Sequence, residues 1–151
     1  MNEPQKLDDR VRWTDEDILA RFEQQAISRA EWTHRAHVMV AYLYLRDHPF
    51  EDAMERIRKG IKALNAANGV IEGPGMGYSE TLTVAFARLI LAVAQNYHPP
   101  KSLSGEEFCD KHPELLCSKV FRLFYSPMVL ANPMSKSQFL EPDLAQLPRV
   151  T

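Results

Sequence analysis

The chemistry in this chain begins with two histidines three residues apart, His34 and His37, and a glutamate further on, Glu80. On a helix, residues at i and i+3 share a face, so one turn would present both imidazoles together. A wheel drawn at about 100° per residue puts His34, His37, Val38, Ala41 and Leu45 in one stripe. The same construction groups Glu80 with Thr83, Val84, Ala87, Leu91 and Ala94. Neutral imidazole and carboxylate are ligands for Zn(II) and for non-haem Fe(II). His34, His37 and Glu80 are therefore a candidate divalent-metal set with coordination positions left open for water or substrate. A centre of this kind activates water or dioxygen, for a hydrolytic or oxidative reaction on a small molecule. Glu80 would then act as ligand or general base, and Tyr78 would orient the substrate. Trp32, Tyr42, Asn65, Ser79, Thr81 and Thr83 complete the expected ligand-binding surface.

The same residues admit a metal-free alternative. A buried carboxylate must be paired or protonated, and a buried imidazole needs partners for its ring nitrogens. Glu80 and a hydroxyl could satisfy the histidines as a structural polar network, within a domain that binds a ligand or uses exposed apolar tail residues to meet a protein partner.

Positioning these groups requires helices. The segment around Ser28–Asp47 reads as one helix, apolar on nearly every face except a strip with Arg35, Tyr42 and Arg46, and so as a central helix. A second central helix spans Tyr78–Tyr97, stopped by Pro99-Pro100. Between them, Pro49–Asn68 has Met54, Ile57, Ile61 and Leu64 at helical spacing on one side only, which predicts a surface helix. Thr14 with Asp17 marks the start of a short helix to Ala26, and Ser104 with Glu107 forms a capping box. Pro113–Tyr125 reads as a last full helix with Leu116, Val120, Phe121 and Phe124 inward. The stretch Gly69–Gly77 holds Gly69, Gly73, Gly75, Gly77 and Pro74 and is expected to be a mobile connection or lid over the site. It matches neither a P-loop nor a dinucleotide fingerprint. Arg35 and Arg46 read as a solvated strip, His48 as a helix C-terminal residue, His98 as structural and His112 as a loop residue.

The expected fold is all-α, a single-domain bundle of about five to six helices spanning 14–151, with a loose segment 1–13 and an extended Pro-containing C-terminal tail. Its 151 residues, 45% hydrophobic and 25% charged, suffice for one core. Eighteen Lys and Arg against twenty Asp and Glu give a net charge of -2 and no basic block, which disfavours nucleic acid. No apolar run approaches the roughly 20 residues needed to span a bilayer, and the polar first residues lack the pattern of a secretory signal. A cytoplasmic location is expected, with a small-molecule ligand and self-association into a homo-oligomer as the partners open to it. Cys109 and Cys117 lack the second pair of a zinc finger and read as reduced core thiols.

The run Trp32-x-His34-x-x-His37, then Asn65, Gly77-Tyr78-x-Glu80-Thr81-x-Thr83, Tyr125-Ser126 and Glu141-Pro142-Asp143-Leu144 resembles a family of small uncharacterised bacterial helical proteins. The resemblance covers residues 30–147 in order and implies no established activity. In that family the residue after the Tyr is often His, whereas this chain has Ser79. If that His is a ligand, the site is altered here. If it only supports a ligand, the Ser79 hydroxyl takes its place.

Overall fold

The structure, a computed structural model, describes residues 12–97 and 103–150. Helices α1 (Asp15–Glu23), α2 (His34–Asp47), α3 (Phe50–Ala67), α4 (Glu80–Ala94) and α5 (Gly105–Lys111) form the bundle. Two short 3-10 turns, Pro113–Leu116 and Ser118–Leu123, and the small helices α6 (Pro127–Ala131) and α7 (Met134–Ser137) follow. The described residues contain no β-strand, only one isolated bridge between Gly73 and Met76. The all-α expectation holds, and no described helix is long and apolar enough to cross a membrane.

Helix α2 is central, packing against α3, α4 and α5, as a helix apolar on nearly every side must. It starts later than its apolar pattern suggests. Ser28 does open a helical turn, with Glu31 N–H donating to its hydroxyl and its own N–H donating to the Glu31 carboxylate. The turn then stops, because Thr33 is extended and its Oγ1 accepts from Ala36 N–H at 3.2 Å, capping a new helix at His34. Both histidines consequently lie in the first turns of α2.

Helix α4 likewise begins at Glu80 rather than Tyr78, with the Ser79 hydroxyl accepting from Leu82 N–H as its cap. The capping box of Ser104 and Glu107 forms as expected. The full helix expected over Pro113–Tyr125 does not, because Cys117 adopts an extended conformation between the two 3-10 turns. Cys117 is therefore exposed rather than a core thiol, whereas Cys109 is buried.

Three further expectations are corrected by packing. Tyr42, read as part of a wet strip, is fully buried, stacked on Phe108 and donating to Leu103 O. Arg35 and Arg46 are not solvated either: Arg35 bonds Glu106 at 2.6 Å and Asp110 at 2.8 Å, while Arg46 bonds Asp15 and Asp47. Trp13 was assigned to the loose N-terminal segment, yet it is buried and its backbone N–H donates to the Glu106 carboxylate at 2.7 Å. The segment 1–11 lies outside the described residues, as do His98 and the Pro99-Pro100 stop.

The C-terminal segment is fastened to α4. The buried Thr81 hydroxyl donates to Gln138 O and accepts from Leu140 N–H, and Leu147 joins the core. Tyr125 adds a second fastening, donating to Leu140 O at 2.8 Å.

Candidate functional site

Three helical stripes converge on one cavity of about 560 Å³. From α2 come His34, His37, Val38 and Ala41; from α3, Ile57, Ile61 and Asn65. Helix α4 contributes Leu82, Thr83, Phe86, Ala87 and Ile90, just after its cap Ser79. These positions recur at spacings of three and four, so each helix presents one face to the cavity. Val70, Gly77 and Tyr78 line it from the glycine-rich connection, and Ser118, Phe121, Arg122 and Leu130 from the C-terminal part. Among the sequence candidates, Trp32, His34, His37, Asn65, Tyr78, Ser79 and Thr83 are thus brought together. Tyr42, Glu80 and Thr81 do not line the cavity.

The histidines are held as neutral rings. His34 Nε2 lies 3.2 Å from Leu115 O, and His37 Nδ1 lies 3.1 Å from Thr33 O. A carbonyl only accepts, so each of those nitrogens carries the proton and the opposite nitrogen keeps its lone pair. Burial depresses the pKa of His34, and the Leu115 carbonyl offsets this only in part. For His37, burial lowers it to about 4, against the Thr33 carbonyl and with the help of His34. Both imidazoles therefore offer an acceptor nitrogen at neutral pH.

Aromatic rings continue from this pair in both directions. Trp32 lies 3.9 Å from His37 between ring centroids, His34 lies 4.9 Å from Phe86, and Phe86 meets Phe121 edge-on at 5.0 Å. The two histidine rings are 6.5 Å apart within the series. Trp32 is also stacked on Phe22 in the core, which fixes its plane. Among the described residues its indole Nε1 is buried without a hydrogen-bond partner. An unmet buried donor costs roughly 1–3 kcal/mol, so its place beside the histidines requires a reason.

Glu80 belongs to another group. Arg58 on α3 donates to both of its carboxylate oxygens, at 2.9 and 2.7 Å, and the Tyr78 hydroxyl donates to Oε1 at 2.6 Å. Burial acts to raise the Glu80 pKa, but Arg58 and Tyr78 outweigh it and the carboxyl stays below its ordinary value. Burial and the Glu80 carboxylate together push the Tyr78 hydroxyl up to about 12. The wheel gave a direction for Glu80 but not its neighbour. As the first residue of α4 it reaches α3 rather than the histidines of α2. Among the described residues, no group of three or more His, Cys, Asp or Glu is placed to hold a metal ion.

The glycine-rich connection is tied down beside the cavity. Tyr78 N–H donates to the Glu72 carboxylate, and Lys136 of α7 donates to Tyr78 O at 2.8 Å and to Met76 O, with Glu72 3.4 Å away. Gly77 has φ +82°, and a Cβ there would sit 2.3 Å from a Glu72 oxygen. Only glycine fits that bend.

Arg58, Phe86, Phe121 and Arg122 were missed by sequence reasoning. Phe86 follows Thr83 by three and precedes Ile90 by four, so the α4 stripe carried a signal for it. The spacing reads Phe121 as an inward core residue rather than a site residue, and Arg122, beside it on the 3-10 turn, has no periodic signal. Family models, curated proteins and solved structures were all compared with the chain, and none matches.

Proposed function

We propose that this domain binds a small, largely apolar molecule in the cavity between α2, α3 and α4. The supporting observation is one cavity that combines aliphatic and aromatic walls with two neutral imidazoles and an indole whose N–H has no partner among the described residues. Its volume, about 560 Å³, falls within the range of small-molecule sites, which pair apolar walls with a few orienting polar groups. Apolar burial supplies affinity, and the lone pairs of His34 and His37 with the hydroxyls of Ser79 and Thr83 fix the pose.

N-phenylnaphthylamine, a neutral dye that brightens in apolar surroundings, tests this proposal. The wild-type chain should enhance its fluorescence saturably. Ala41→Phe and, independently, Thr83→Leu fill the cavity from α2 and α4, and each should weaken binding about tenfold or more while unfolding remains cooperative. Equal binding by wild type and both folded variants would overturn it.

A second proposal retains a metal. Two neutral imidazoles lining one cavity support Zn(II) or Fe(II) binding by His34 and His37, with a bound molecule completing the coordination and a hydrolytic or oxidative reaction following. Glu80 joins that set only by leaving Arg58. Stoichiometric metal uptake that His34→Ala abolishes supports this proposal, and no uptake by the wild-type chain removes it.

A further inference from the structure

From the charge distribution around the cavity we infer the class of its ligand, an inference resting on the binding proposal above: a monocarboxylic acid with an apolar body. Among the described residues, Arg122 is the one formally charged residue lining the cavity, and no described Asp, Glu or Lys shares the wall. Its side chain is exposed on the turn Ser118–Leu123, directly after the buried Phe121. Whereas Arg35, Arg46 and Arg58 each hold a carboxylate, Arg122 makes no ion pair or hydrogen bond with the described residues.

The other polar groups of the wall are neutral. His34 and His37 each give a ring N–H to a backbone carbonyl, and Asn65, Ser79, Thr83 and Ser118 carry no charge. One cation on an otherwise uncharged wall therefore matches one negative charge at the end of an apolar molecule. Guanidinium pairs with carboxylate through two parallel N–H···O bonds. A phosphate monoester, with close to two charges, would leave one unmatched, and a cationic head would meet Arg122 with no acid to offset it. The aromatic series from Trp32 to Phe121 and the aliphatic groups of Val38, Ile57, Leu82 and Leu130 provide the surface for the body. Straight-chain and aromatic acids share this chemistry.

Calorimetry with three probes of equal chain length, each below its micelle-forming concentration, separates the terms. Decanoate should bind the wild-type chain at least tenfold more tightly than decanol, and decylamine most weakly. Arg122→Ala should bring decanoate down to the decanol affinity and leave decanol unchanged, and Arg122→Lys should recover part of the difference. Ala41→Phe should weaken decanoate and decanol together. Decanol binding as tightly as decanoate, or an Arg122→Ala chain that keeps the preference, overturns the ligand class and leaves the cavity proposal standing. Failure of both probes and of N-phenylnaphthylamine overturns both.

Discussion

Arg58 on α3 grips Glu80 at the first position of α4 with two hydrogen bonds, at 2.9 and 2.7 Å. This pair separates the carboxylate from the histidines of α2 and joins two of the three helices that enclose the cavity. Both side chains are partly shielded, 28% and 16% exposed, so the pair is stronger than a free surface bridge and weaker than a fully buried one.

Arg58→Met leaves Glu80 with Tyr78 as its remaining hydrogen-bond partner and should destabilise the fold by about 1–3 kcal/mol. Glu80→Gln in that background should recover part of the loss, because the amide needs no counter-charge. Urea unfolding of the two single variants and the double variant gives the coupling directly. Additive effects would show that the pair contributes nothing.

His37 makes stability depend on pH in a defined window. Its folded pKa, about 4, lies below the ordinary value of 6.5, so between these limits the unfolded chain binds more protons than the folded one. Stability should then fall as pH drops from about 6.5 to about 4, by up to about 3 kcal/mol from this group. His34 is shifted in the same direction and adds to the slope. His37→Gln should flatten the urea-midpoint profile over that window. An unchanged profile would contradict the assignment of a neutral, half-buried ring.

Gly60 is a packing glycine. A Cβ at this position in α3 would lie 2.1 Å from Phe22 Cε2 and 2.3 Å from Cζ, and Phe22 is itself buried behind Trp32. Gly60→Ala gains helix propensity of roughly 1 kcal/mol but overpacks a fixed ring, for a net destabilisation of about 1–3 kcal/mol. Thermal unfolding should show a lower midpoint, and a higher one would mean that α3 and α1 separate freely.

Thr81 fastens the C-terminal segment to α4 through two hydrogen bonds of one hydroxyl. Thr81→Val keeps the shape and strands Leu140 N–H and Gln138 O. It should cost about 1–3 kcal/mol and raise amide exchange at Leu140 selectively. Uniform exchange across the chain would contradict a local fastening.

Much of the fold was legible because apolar periodicity reports helices directly: α2 and α4 were central and α3 one-sided, as found. Boundaries were less so, since Thr33 and Ser79 interrupt apolar runs through cap hydrogen bonds rather than through hydrophobicity. Among the site residues, Trp32, His34, His37 and Thr83 were legible as members of helical stripes or their approach. The partner of Glu80 was not, because a wheel gives a direction and not the helix that lies in it. Tyr42 was misplaced for the same reason: its hydroxyl suggested water, whereas Leu103 O receives it inside the core.

The central claim is that the space beside Trp32 and His37 receives a molecule. It is tested most directly by NMR, following the two indole N–H signals while N-phenylnaphthylamine is added. Occupation of the cavity predicts that the Trp32 signal and the His37 ring shift saturably while the signal of Trp13, which does not line the cavity, stays in place. Shifts confined to surface residues, with Trp32 and His37 unmoved at saturation, would contradict it.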